Sequence, residues 1–152
     1  MPGVLEPDAN ILDIGCGSGY LAAVFARLNP KAKVYGVDYI PELVQLSYKN
    51  LRKADGDLLD GGNIQLHTGN GWNGFAEGAP YSCIHVGAAA ATLPRALSDQ
   101  LKVGGKMIIP IGPDGGNQVL YLVERKAEGN NEEALKVEPL MGVRYVPLVD
   151  RN

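Results

Sequence analysis

Cysteine and histidine are scarce in this chain, with two of each in 152 residues. Cys16 and Cys83 stand at no spacing typical of a metal or redox pair, and each falls in or beside a strand-like apolar run. Both therefore read as buried free thiols. His67 and His85 also sit inside apolar strand patterns, where a hydrogen-bonded structural histidine is a simpler expectation than a ligand. No zinc site is expected, and no other metal. Runs of lysine or arginine are missing as well, and the net charge is only −3. Nothing in the charge pattern points to nucleic acid or to an anionic membrane. No apolar run approaches the roughly 20 residues needed to span a bilayer, and "MPGVLEPDAN" lacks the basic and apolar regions of a signal peptide. The cytosol is the expected compartment, with small molecules or polypeptide segments as ligands.

What the chain does have is apolar content, 45% of its residues, enough for one domain with a full core but too little for two. Apolar runs alternate with helix-like stretches: strand 11–14, helix 19–28, strand 33–37, helix 41–54, strand 64–68, a short helix near 72–76, strand 82–86, helix 93–101 and strand 106–111. Such alternation predicts an α/β fold, a parallel sheet covered on both faces. Pro41 suits the first position of its helix, and Leu43, Leu46 and Leu51 are assigned to that helix's apolar stripe. After "PIGPDGGNQ" the rhythm changes to strand-like "VLYLVER", a polar loop around "EGNNEE", then "LKVEPL" and "VRYVPL". A loop-joined antiparallel pair at one sheet edge fits this tail.

The stretch "ILDIGCGSGY" reads as a buried strand, a glycine-rich turn and a helix start. Glycines 15, 17 and 19 suit a backbone that folds tightly and lets a ligand approach its N–H groups. In an open parallel sheet the first such turn, at the point where strand order reverses, is the expected ligand site. A dinucleotide fingerprint calls for a third glycine at the sixth position, where Tyr20 stands. Asp13, two residues before the first glycine, would repel a diphosphate but suits a ligand carrying an ammonium and a sulfonium. These two residues favour S-adenosylmethionine over NAD. Asp38 ends the second strand, where its carboxylate can accept from both hydroxyls of a ribose or can cap the helix that begins near Pro41. Asn70, between Gly69 and Gly71, is placed either to meet an adenine ring or to serve as a turn asparagine.

Taken together, "LDIGCGSGY", "GVDYIPELV", "TGNGWNGFAEGAPY", "IHVGAAA", "LPRALSDQLKVGGKMIIPIG", "GGNQ" and "PLMGVRYVPL" resemble the protein-L-isoaspartate O-methyltransferase family, from about residue 5 to 149. The glycine turn alone is weakly specific; "IHVGAAA", "GGNQ" and the terminal "MGV-YVPL" are far more so. The resemblance implies a class I methyltransferase, Rossmann-like, that moves a methyl group from S-adenosyl-L-methionine to the carboxylate of isoaspartyl and D-aspartyl residues in damaged proteins. It leaves S-adenosyl-L-homocysteine as product. Carried over by position, it implies cofactor contacts at Gly15, Gly17, Ser18, Asp38, Gly69, Asn70, Leu148 and Val149, to which the charge argument adds Asp13. Tyr145 and Val146 would help hold the isoaspartyl segment. Isoaspartyl-containing proteins and peptides are the implied partners, with a monomer expected and no separate acid or base catalyst.

Several positions depart from the family pattern. Asn70 replaces a usual aspartate, losing a charge but keeping an acceptor; Ser82 stands where an aspartate is general, and Val103 where proline is common. Nothing in residues 1–10 matches the family's "S-APHMHA"-like segment, and its terminal helix has no counterpart after "VPLVD". The expectation is a methyltransferase core, either a fragment or a shortened gene product. A non-catalytic module that binds S-adenosylmethionine is the alternative.

Overall fold

The computed structural model describes residues 6–129 and 132–149. Its sheet has seven strands: β1 (Asn10–Ile14), β2 (Lys33–Asp38), β3 (Ile64–Thr68), β4 (Tyr81–Val86), β5 (Leu101–Ile111), β6 (Gln118–Arg125) and β7 (Leu135–Val143). They lie in the order β3-β2-β1-β4-β5-β6-β7. The pairings are parallel from β3 to β5, while β5–β6 and β6–β7 are antiparallel, as the change of rhythm in the tail implied. Strand order reverses between β1 and β4, which opens a crevice above the C-terminal ends of β1, β2 and β4.

β1 lies inside the sheet, between β2 and β4, and carries buried apolar side chains on both faces. Ile11 packs with Phe25, Val44 and Leu51 under the helices α1 (Tyr20–Leu28) and α2 (Pro41–Ala54), while Leu12 and Ile14 pack on the other face with Ile84, Met107 and Ile109. Fully burying one such side chain contributes about 1.5–3 kcal/mol. Both cysteines are free and buried in this core, as expected.

Four boundaries differ from the sequence reading. The buried positions of α2 are Val44, Ser47 and Leu51 rather than Leu43, Leu46 and Leu51; Leu46 faces solvent and Leu43 turns toward the crevice. A short helix, α3 (Gly56–Asp60), follows α2 where "DGDLLD" offered too few turns for a period to show. The helix expected near 72–76 is two 3-10 turns, Gly71–Asn73 and Ala76–Gly78, separated by Gly74 at φ 62°. Finally, α4 (Arg95–Gln100) is shorter than predicted because β5 begins at Leu101, five residues early, with a register shift opposite Tyr81 and Cys83. The polar "EGNNEE" loop lies partly outside the described residues. No helix among the described residues is long and apolar enough to cross a membrane.

Candidate active site

The glycine turn is built as its spacing required. Gly15, Gly17 and Gly19 have φ of 72°, 53° and 81°, a left-handed region that residues with a Cβ enter only at a cost. The turn is held from β2: the Gly15 and Cys16 N–H groups both donate to the Val37 carbonyl, at 2.8 and 3.3 Å. Asp38, only 8% exposed, accepts from the Gly17 N–H on Oδ2 and the Ile40 N–H on Oδ1, both at 3.1 Å. One carboxylate thus ties the turn after β1 to the start of α2. Asp38 does not cap α2, whose N-cap is Ile40 without a side-chain cap; its bond to the Ile40 N–H closes a local turn before the helix and leaves lone pairs on both oxygens for a further donor.

Above this frame lies a cleft of about 470 Å³, within the usual range for small-molecule sites. Its floor includes Gly15, Gly17, Asp38 and Gly87, and its sides include Val37, Ile40 and Leu43. The opposite wall comes from far along the chain, from Val146, Pro147, Leu148 and Val149. Residues 145–149 form an extended strap rather than the strand that "VRYVPL" suggested. Ala89 donates to the Val146 carbonyl at 2.8 Å and accepts from the Leu148 N–H at 2.7 Å.

Gly71 and Gly87 also line the cleft, where backbones come close, although neither is among the site residues expected from sequence. The Gly87 N–H donates to the Ile14 carbonyl at 2.8 Å, and a Cβ on Gly87 would stand 3.2 Å from the Gly15 carbonyl oxygen. On Gly71 a Cβ would stand 2.6 Å from Ile14 Cγ2 and 2.9 Å from Leu148 Cδ1. Gly87 directly follows the end of β4 and Gly71 stands three residues past the end of β3, positions that carry no local mark of the close approach.

Of the residues expected at the site, Gly15, Gly17, Asp38, Val146, Leu148 and Val149 line this cleft, and the others do not. Asp13 is 1% exposed, with Oδ1 2.9 Å from His85 Nδ1 and Oδ2 buried without a hydrogen-bond partner. The expectation of direct contact with a ligand ammonium is corrected here, because β1 turns this side chain into the sheet's packed face. Burial pushes its carboxyl above the usual carboxylate range; the His85 hydrogen bond opposes that shift and the Asp38 charge adds to it. Ser18 points to the other side of the turn, where its hydroxyl accepts from the Tyr20 N–H. Gly69 serves β2 by donating its N–H to the Asp38 carbonyl at 3.0 Å. Asn70 is a turn asparagine: its side-chain oxygen accepts from the Trp72 N–H at 3.0 Å. Tyr145 begins the strap, outside the cleft lining.

A parallel sheet with this strand order and an antiparallel edge pair, carrying a glycine turn and an acidic strand end at the switch point, is the class I S-adenosylmethionine-dependent methyltransferase fold, Rossmann-like in its parallel part. Within that class the family is also shown. A protein-family model described as "Protein-L-isoaspartate(D-aspartate) O-methyltransferase (PCMT)" matches residues 3–152, and the chain belongs to that family. Protein-L-isoaspartate O-methyltransferase 2 of Arabidopsis thaliana is 45% identical over 150 residues, covering 97% of this chain and 46% of that protein. The Caenorhabditis elegans protein-L-isoaspartate O-methyltransferase is 44% identical over 149 residues, covering 97% of this chain and 64% of that protein. The chain therefore spans about half to two thirds of the length of these curated relatives. A crystal structure of a Plasmodium falciparum protein-L-isoaspartate O-methyltransferase in complex with S-adenosyl-L-homocysteine superposes with a TM-score of 0.84 at 32% identity, covering 96% of this chain and 68% of that one.

Proposed function

We propose that this chain transfers a methyl group from S-adenosyl-L-methionine to the side-chain carboxylate of isoaspartyl and D-aspartyl residues in damaged proteins. The observation that carries the reading is the convergence, in one cleft, of the glycine turn, Asp38 and a strap more than 100 residues further along the chain. The residues present fit the cofactor. Asp38 keeps acceptor capacity for ribose hydroxyls, Val37, Ile40 and Leu43 offer an apolar wall for a base, and the bare backbones of Gly15 and Gly87 leave room that a Cβ would fill. Bound there, the cofactor would supply an electrophilic methyl group on a sulfonium.

The chain's own task is then positional. An acceptor carboxylate with a reference pKa of about 4 is already ionised at neutral pH, so no side chain has to remove a proton. Asp38 is the one acidic side chain of the cleft lining, and it is committed to the Gly17 and Ile40 N–H groups; His85 is bonded to Asp13 and lies outside the lining. Holding the carboxylate in line and excluding water supply the acceleration, which makes the apolar strap part of the machinery. The proposal extends to a cytosolic monomer whose partners are isoaspartyl-containing proteins and peptides.

Incubating the chain with methyl-labelled S-adenosylmethionine and an isoaspartyl peptide, with the aspartyl peptide as control, tests the reading. Label on the isoaspartyl peptide alone is expected. Equal labelling of both peptides, or no labelling by a chain that binds S-adenosylhomocysteine, would overturn it and leave the non-catalytic binding module.

A further inference from the structure

The strap bordering the cleft lacks a continuous sheet partner, so its position depends on a few fixed points. Ala89 holds its middle. At its start stands Gln118, the first residue of β6, 2% exposed and outside the cleft lining. Its side-chain oxygen accepts from the Tyr145 N–H at 2.6 Å, and its amide nitrogen donates to the Tyr145 carbonyl at 3.2 Å and to the Pro113 carbonyl at 3.2 Å. A side-chain amide thus exchanges both bonds with one residue's backbone, as a neighbouring strand would. At the far end Trp72 donates its indole N–H to the Leu148 carbonyl at 3.0 Å, and Asn70 fixes the turn that carries it.

The two fixed points face different parts of the cleft. Val146, next to the Gln118 clamp, borders the cleft yet remains 72% exposed, as suits a rim that meets an incoming polypeptide. Leu148, next to the Trp72 clamp, is partly buried beside Gly71 and Ile14, on the inner wall that would face the cofactor. We propose that Gln118 and Trp72 are positioning residues with separate duties: Gln118 sets the polypeptide-binding rim of the strap, and Trp72 sets its cofactor-facing end. This assignment rests on the methyltransferase reading.

Two affinities are measured on each variant: S-adenosylhomocysteine by calorimetry, and a fluorescent isoaspartyl peptide by anisotropy on protein saturated with S-adenosylhomocysteine. Gln118→Leu removes three hydrogen bonds at similar volume and is expected to weaken peptide binding by about tenfold while leaving cofactor affinity within about twofold. Its KM for peptide should rise with little change in kcat. Trp72→Phe keeps the ring but loses the donor, and is expected to weaken cofactor binding by about fivefold with peptide affinity within about twofold. Hydrogen exchange at the Tyr145 and Ala89 amides should quicken in Gln118→Leu, with the Leu148 amide unchanged. If both variants weaken both ligands by the same factor, or if Gln118→Leu changes neither exchange nor peptide affinity, the assignment is wrong. A parent chain that binds both ligands without methyl transfer would remove the catalytic reading alone, since the binding measurements still decide between the two clamps. A parent chain that binds no isoaspartyl peptide would overturn the Gln118 assignment as well.

Discussion

Ser47, fully buried on α2, donates its hydroxyl to the Gly17 carbonyl at 2.5 Å, so the helix after β2 holds the turn after β1 from below. The same side chain lies where a Cβ on Gly19 would come within 3.2 Å, which leaves glycine as the residue that fits there. Ser47→Ala removes the donor and leaves a carbonyl in the turn short of a partner. Stability should fall by about 1–2 kcal/mol, a drop in Tm of about 3–6 °C, with weaker S-adenosylhomocysteine binding. Thermal denaturation and calorimetry check this; an unaltered Tm and affinity would show that the turn holds its shape without α2.

Asp38→Asn should affect binding more than folding. The amide keeps one acceptor but presents an NH₂ to a backbone N–H, so either the Gly17 or the Ile40 contact is lost, together with the charge that strengthens both. Affinity for S-adenosylhomocysteine is expected to drop about 10- to 100-fold, as for loss of charge-assisted hydrogen bonds. Calorimetry is the check, and an unchanged dissociation constant would remove Asp38 from the cofactor site.

Gly71→Ala should move the far wall. Its new methyl would stand 2.6 Å from Ile14 and 2.9 Å from Leu148, and Ile14 sits in the packed sheet, so the strap is the part able to yield. Overpacking of this kind costs about 1–3 kcal/mol. Urea denaturation gives the loss, and faster hydrogen exchange at the Leu148 amide would show where it falls.

The parts legible in the sequence were those written in local pattern. Strand 64–68 and helix 41–54 fell on their observed boundaries because proline, apolar period and flanking turns agreed there. The glycine turn and Asp38 were also legible, since left-handed backbone and a strand-end acid leave direct marks. Asp13 was misplaced because an acid before a glycine turn looks the same whether it faces a ligand or a buried histidine 72 residues later. Asn70 shows the same ambiguity, and a turn cap leaves no sign that the adenine reading lacks. Gln118 was seen only as part of "GGNQ"; its duty toward Tyr145, 27 residues away, is a tertiary fact with no local trace.

The two thiols should be inert in the folded chain. Burial pushes both Cys16 and Cys83 up to about 12, so at pH 8 the reactive thiolate is on the order of one part in ten thousand. Iodoacetamide followed by mass spectrometry should find no modification in the native chain and two labels in guanidinium chloride. Rapid native labelling at Cys16 would mean that the glycine turn opens.

The Asp13 carboxyl gives a pH dependence of defined sign. Its pKa is raised, so the folded state holds the proton more tightly than the unfolded chain does. The stability this contributes is full below the ordinary carboxylate value of about 4 and is lost as pH rises through the raised one. His85 opposes the shift, so the clean test is a His85→Gln background, where burial and Asp38 both act upward. There the stability of the Asp13 chain relative to its Asp13→Asn counterpart should decline from pH 4 upward and then level off in urea titrations. A relative stability that climbs with pH would reverse the sign.

The strap also sets an order of events during synthesis. The glycine turn, Asp38 and Ala89 are all made well before it, and its bond to Trp72 joins residues 76 apart. At about 5–20 residues per second, a nascent chain spends several seconds with the floor of the cleft made and its far wall still untranslated. A ligand that needs both stabilises only molecules in which β6 and β7 have already taken their places. A ligand spanning the glycine turn and the strap would thus report that residues far apart in the chain have come together.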